Sequence, residues 1–169
     1  SLGGVGKKAR ESLLLFESAG FDIIIVETVG VGQAETLVSQ MVDFFLLVES
    51  PGGGDQLQGV KRGILELVHL LIINKADGPY LSLAKEAQSH FSQTFHILGP
   101  IRQGWTPEVK LVSALNGDGV DDLGKTIQKF KERFFSPDQL KEWRKKQMVE
   151  WMWSICESML MSKLEQAKK

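Results

Sequence analysis

The sequence predicts an α/β fold, a three-layer and mostly parallel sheet with a helical extension at its C-terminus, and three observations carry that prediction. Short apolar runs, several rich in β-branched residues, recur along the chain without polar alternation, as strands covered on both faces require. Each run empties into a loop of acids, asparagine or glycine. A segment with helical periodicity then follows, and this repeated order favours parallel pairing through right-handed crossovers.

Taken in order, Ser1-Leu2-Gly3-Gly4-Val5-Gly6 is a glycine-rich opening. Residues 7–20 place Leu13, Leu14, Phe16 and Ala19 in partial helical register, with Gly20 as the C-cap. The opening strand is Asp22-Ile23-Ile24-Ile25-Val26, which ends at Glu27 and the glycine-punctuated loop Thr28-Val29-Gly30-Val31-Gly32-Gln33. Ligands of open α/β sheets bind beyond the carboxyl ends of the strands, which makes this loop the mouth of a site. A short helix over 34–41 leads to a second strand over 43–48, and Ser50-Pro51-Gly52-Gly53-Gly54-Asp55 breaks regular structure. Helical pattern resumes over 56–67, and a third strand over 69–73 ends in Asn74-Lys75-Ala76-Asp77-Gly78-Pro79. Leu83, Ala87, Phe91 and Phe95, each four apart, stripe the next helix. A fourth strand over 109–112 ends at Ser113-Ala114-Leu115-Asn116-Gly117, and the helix over 118–134 carries Val120, Leu123, Ile127, Phe130 and Phe134 on one face.

Ser136 as N-cap and Pro137 at the first helical position open a tail that runs to Lys169. Three of the four tryptophans, Trp143, Trp151 and Trp153, lie in it among methionines and leucines. The tail is expected to pack partly on its own domain and to offer a wide apolar surface to a second subunit. The expected division is therefore a domain over 1–135 and a helical dimerisation extension over 136–169.

Composition narrows the function classes. With 169 residues, 43% hydrophobic and 24% charged, the chain suits one globular domain with a sizeable core. A formal net charge of −1 gives no general reason to expect nucleic acid or an anionic membrane as partner. The apolar runs fall far short of the roughly 20 residues of a membrane-spanning helix. A single cysteine, Cys156, makes no internal disulfide and fits a reducing, intracellular compartment. The start at Ser1 without a signal-like leader suggests a fragment or processed chain.

Asn74-Lys75-Ala76-Asp77 at a strand end is the most informative tetrad. A carboxylate there accepts from both the N1–H and the exocyclic amino group of guanine, a pattern adenine does not offer. A buried carboxylate left unpaired by the wrong base costs several kcal/mol, so Asp77 alone can set base choice. Asn74 suits the base edge and neighbouring loops, the Lys75 stem suits the purine face, and Ser113-Ala114-Leu115 at the next strand end closes the other side. Glu27-Thr28-Val29-Gly30 fits a loop that senses a terminal phosphate, with Glu27 holding a magnesium-bound water and the Gly30 N–H meeting a phosphate oxygen. The segment Gly3-Gly4-Val5-Gly6-Lys7-Lys8 invites a phosphate-loop reading but fails G-x-x-x-x-G-K-[ST]: no strand precedes it, no glycine stands five places before Gly6, and Lys8 replaces the hydroxyl. A solvated basic helix face suits it better.

Together Gly3-Gly4, the loop from Glu27 to Gln33 with Glu35, the segment Gly54-Asp55-Gln56-Leu57-Gln58-Gly59-Val60-Lys61-Arg62-Gly63, the tetrad at Asn74 and Trp151-Met152-Trp153 resemble the MeaB / methylmalonic aciduria type A family. These are P-loop GTPases, once called ArgK or LAO/AO transport ATPases. The resemblance covers nearly the whole chain. It implies a P-loop NTPase-like fold and a homodimer that binds and hydrolyses GTP to GDP with magnesium. It also implies a chaperone of adenosylcobalamin-dependent methylmalonyl-CoA mutase that gates cofactor loading and protects the mutase. By position, Glu27 and Gly30 match the phosphate-sensing motif, with Glu27 toward magnesium. Asn74, Lys75 and Asp77 match the guanine motif, Ser113, Ala114 and Leu115 the base-closing loop, and Lys61 the lysine of a mobile loop proposed to assist hydrolysis. A cation there stabilises the charge developing in phosphoryl transfer; a solvated helix start is the alternative for Lys61. The family's phosphate loop and first strand lie upstream of Gly3-Gly4, so the chain alone is expected to be inactive, its strand over 22–26 lacking one neighbour. The rival reading is a non-catalytic module that only dimerises or docks on the mutase. A related ATPase is disfavoured by Asp77.

Overall fold

A computed structural model describes residues 2–28, 34–52, 62–102 and 104–167. They form two compact units, one of residues 1–43 with 131–169 and one of residues 44–130.

The second unit is built on three parallel strands, β1 (Leu46–Glu49), β2 (Leu70–Ile73) and β3 (Glu108–Leu111), in the order β1-β2-β3. The register pairs Leu46 with Leu70 and Leu70 with Glu108, so the carboxyl ends lie together at Glu49, Ile73 and Leu111. The central strand has no polar residue because both its faces are covered: all four of its residues are buried. Leu70 and Ile72 pack with Val112 against Phe44, Leu46 and Leu123. Leu71 and Ile73 point by strand alternation to the opposite face and are fully buried there. Each such side chain contributes about 1.5–3 kcal/mol on leaving water.

The helices of this unit follow their apolar stripes in part. Helix α4 (Leu81–Leu98) packs on β2 and β3 and buries Ala84, Ala87, Phe91 and Phe95. The expected Leu83 is instead 44% exposed, because Ala84 falls nearer the centre of the buried stripe set by Ala87 and Phe91. Helix α5 (Val120–Phe134) starts in this unit and buries Thr126 and Phe130, with Leu123 half-buried, while Val120 and Ile127 are exposed. Only a single turn, α3 (Arg62–Leu65), is described from the helix expected over 56–67.

His69, immediately before β2, is enclosed by aromatic rings. Phe44 stacks on it at 5.5 Å, and Phe130 meets it edge-on at 4.8 Å. The Phe45 N–H donates to its Nδ1 at 2.9 Å, and Trp105 Nε1 donates to its carbonyl at 2.9 Å. Burial first, and the nearby Arg102 charge second, lower its pKa from 6.5 to about 4.

The first unit is helical. Helix α1 (Leu2–Ser18) begins inside the glycine-rich opening rather than after it. It ends where Gly20, at φ +85°, donates to Glu17 at 3.0 Å and Phe21 donates to Phe16 at 3.2 Å. This is a Schellman end, and its usual apolar contact is present as Phe16 against Phe21 at 5.6 Å. A second short helix, α2 (Ala34–Ser39), follows the loop. The long helix α6 (Pro137–Ala167) opens with a reciprocal capping box, Ser136 N–H to Gln139 Oε1 at 3.2 Å and Gln139 N–H to Ser136 Oγ at 3.4 Å. Arg144 of α6 pairs with Asp43 at 2.6 Å and Glu17 at 2.8 Å, and buried Gln147 donates to the Val42 carbonyl at 2.9 Å. Arg10 of α1, also buried, lies 5.2 Å over the Trp151 ring.

The opening strand expected over 22–26 is not a strand. Residues 23–28 have no regular structure, and Ile23 and Ile25 are 80% and 87% exposed. Ile24 and Val26 are half-buried, so the run keeps the alternation of an extended chain but has no ladder. Apolar, β-branched composition expresses a preference for cover; a strand also needs a neighbour to hydrogen-bond, and among the described residues the ladder consists of β1, β2 and β3 alone. The sheet over the described residues thus has three of the four expected strands. No helix of the described residues is long and apolar enough to cross a membrane.

Candidate functional site

The carboxyl ends of β2 and β3 bring the predicted tetrad and the predicted closing loop together. Where β2 stops, the Asn74 N–H still reaches the Glu49 carbonyl at 2.8 Å, extending the ladder to β1. Lys75 then turns the chain with φ +59°, the left-handed region that side chains other than glycine seldom occupy. This turn returns the Ala76 N–H to the Val112 carbonyl at 3.1 Å and leaves Asp77 extended ahead of a short turn over Gly78–Tyr80.

β3 ends in the matching way. The Val112 N–H donates to Ile73 at 2.9 Å, and Ser113 follows fully buried. Its Oγ donates to Asp77 Oδ2 and accepts the Asn116 N–H at 3.2 Å. The Ala114 N–H donates to Asn74 Oδ1 at 3.1 Å. Two side chains of the tetrad are therefore each fastened to the second loop. Asp77 Oδ1 accepts no hydrogen bond from the described residues, and Oδ2 retains lone-pair capacity. Asn74 spends its oxygen on Ala114 and keeps its amide donors. The arrangement presents a half-buried carboxylate and an amide, held in place beforehand, to a ligand edge carrying adjacent donors and an acceptor.

The other predicted residues fall as follows. Lys75 is exposed. Leu115 is 86% exposed at the outer end of the closing loop, Ala114 is exposed beside it, and Ser113 is the member that is buried. Glu27 is exposed at the end of the irregular run in the first unit. Gly30 and Lys61 lie outside the described residues. Reading the sequence missed Glu49, the last residue of β1, whose half-buried carboxyl is pushed up in pKa by burial at this same sheet edge. An acid closing the apolar run Phe44-Phe45-Leu46-Leu47-Val48 was the available signal. The cavity of about 350 Å³ in the first unit is a separate feature: its charged lining is Asp22 together with Arg10, Glu17, Asp43 and Arg144, and the last four are engaged with each other or with neighbouring groups.

Comparison with known proteins gives a consistent result. The family model described as "Methylmalonyl Co-A mutase-associated GTPase MeaB" matches residues 1–169. "GTPase ArgK" of Escherichia coli (strain K12) is 43% identical over 151 residues, covering 89% of this chain and 46% of that protein. "Methylmalonic aciduria type A homolog, mitochondrial" of Mus musculus is 39% identical over 155 residues, 92% of this chain and 37% of the relative. A crystal structure of an LAO/AO transport system kinase superposes with a TM-score of 0.86 at 37% identity, covering 95% of this chain and 51% of that one. The chain thus spans about half or less of the length of the proteins it matches.

Proposed function

The chain belongs to the MeaB family of methylmalonyl-CoA mutase-associated GTPases, and from that premise we propose that it carries the guanine-recognising part of a protein that binds GTP and hydrolyses it to GDP. The observation that supports this reading most is the double fastening of Asp77 to Ser113 and Asn74 to Ala114. A carboxylate positioned before the ligand arrives loses little freedom on accepting the two guanine donors, and one left without them is penalised. Adenine has an acceptor at N1 and carries its amino group at C6 with none at C2, so it does not offer the two adjacent donors and leaves Asp77 unsatisfied.

Magnesium is the metal this reading implies. It takes one or two carboxylates together with substrate phosphates and water, and Glu27 is one exposed carboxylate that suits such a share. Magnesium would neutralise charge on the phosphates. Gly30 would meet the terminal phosphate with its N–H, and Lys61 would bring a cation to the transition state. The finer role we propose is chaperoning of adenosylcobalamin-dependent methylmalonyl-CoA mutase, through cofactor loading and protection, by a homodimer joined through α6. The exposed Met152, Trp153, Met159, Leu160 and Leu164 of that helix support an interface. They equally favour a second reading, in which the chain serves only as a dimerisation or mutase-docking module.

Amide NMR of the chain titrated with guanosine and adenosine separates the two readings. Guanosine is expected to shift Asn74, Asp77, Ser113 and Ala114, and Asp77→Asn to weaken that response at least about tenfold. Equal responses to both nucleosides would refute guanine recognition and leave the docking module standing.

A further inference from the structure

We infer that Gly119 is a positioning residue that sets the base-closing loop against the tetrad. Its φ is +79°, and a Cβ at this position would stand 2.3 Å from the Leu111 carbonyl oxygen, 3.3 Å from the Leu111 carbonyl carbon and 3.4 Å from the Val112 Cα. These are backbone atoms at the end of β3, which cannot yield as the tip of a side chain can. Gly117, with φ +84°, has nothing within 4 Å of an added Cβ. Both glycines permit a left-handed turn, and Gly119 in addition permits the loop to lie directly on the strand.

That close approach is linked to the site through two hydrogen bonds to the Ser113 backbone. The residue before Gly119, Asp118, offers its carbonyl to the Ser113 N–H at 2.9 Å, and the Gly117 N–H returns to the Ser113 carbonyl at 2.8 Å. On the other side, the Leu123 N–H ties Gly119 to the start of α5 at 3.0 Å. The loop is therefore a closed ring whose exit rests on β3. Lifting the exit moves the Asp118 carbonyl away from Ser113, and Ser113 then carries its hydroxyl away from Asp77 and the Ala114 N–H away from Asn74. Gly119 touches no ligand in this account; it determines whether the carboxylate that reads the base is held. The ligand side rests on the guanine reading above, whereas the positioning of Ser113 does not.

The test compares Gly119→Asn with Gly117→Asn, because asparagine tolerates positive φ and so isolates the clash from the backbone preference. A third variant inserts one glycine between Gly117 and Asp118, displacing the Asp118 carbonyl while placing no atom against Leu111. In the ligand-free chain, Gly119→Asn and the insertion are expected to speed exchange of the Ser113 amide at least about tenfold, with Leu71 and Ile73 unchanged and Gly117→Asn near wild type. Titration with guanosine and inosine should show both loop variants losing the preference for guanosine, whose extra amino group faces Asp77, by about tenfold. Should Gly119→Asn fail to fold, the insertion variant alone decides. Retained Ser113 protection in the insertion variant, or an unchanged guanosine preference once Ser113 has opened, would overturn the inference. A wild-type chain that ignores guanosine would overturn the guanine reading instead, and the exchange rates would still decide the role of Gly119.

Discussion

Lowering the pH from about 8 to 5 should destabilise the sheet unit through His69. The folded state holds this imidazole neutral, with its pKa brought from 6.5 to about 4 by burial and by the charge of Arg102, while the unfolded chain protonates it at its ordinary value. Between those two values the unfolded state binds more protons. The stability contributed by the neutral ring is therefore fully present above 6.5, declines as the pH falls, and is fully lost below about 4. At about 1.36 kcal/mol per unit, the whole loss is roughly 3 kcal/mol, with about 2 kcal/mol of it reached by pH 5. The local reason is that Nδ1 accepts the Phe45 N–H, and a proton there would set donor against donor between aromatic rings. The comparison protein is His69→Asn, whose side-chain oxygen can keep the Phe45 bond but does not titrate. Loss of ring contacts with Phe44 and Phe130 should cost it roughly 2 kcal/mol at pH 8. Urea unfolding followed at the Leu71 and Ile73 amide resonances then gives stability against pH for both proteins. Wild type should fall steeply below pH 6.5 relative to His69→Asn. Parallel curves for the two would refute the argument.

Two further substitutions test local backbone claims. Lys75→Gly should stabilise the chain by about 0.5–1 kcal/mol, because glycine relieves the positive φ at a modest entropic cost, while the guanosine response weakens as the stem over the ring is lost; an unchanged or lower melting temperature would count against strain there. Ser136→Ala removes one half of the capping box and should destabilise α6 by about 1 kcal/mol, read by circular dichroism in urea; an unshifted midpoint would show that the cap carries no weight.

Much of the fold and part of the site could be read before any coordinates. The strands at 46–49, 70–73 and 108–111 lie within three residues of the apolar runs that announced them, and Gly20 and Ser136 cap the helices they were expected to cap. Such features depend on neighbours a few residues away, which the sequence displays directly. The tetrad was legible for the same reason: a strand end followed by Asn74-Lys75-Ala76-Asp77 places its groups by local geometry alone.

Other features depended on groups distant along the chain. The run at 22–26 has the composition of a buried strand, yet strand formation also takes a hydrogen-bonding neighbour, and composition carries no information about one. His69 looks like the first residue of a strand until Phe44, Trp105 and Phe130 are seen around it. What the sequence by itself determined was the place of the three strands, the helix caps at Gly20 and Ser136, and the presence of Asn74 and Asp77 at a strand end, all set by periodicity and by neighbours a few residues away. Only the tertiary structure decided that Ser113 holds Asp77, that Ala114 holds Asn74 and that Gly119 lies against β3, because those contacts join the ends of separate strands, and they form only once the sheet has brought those ends together.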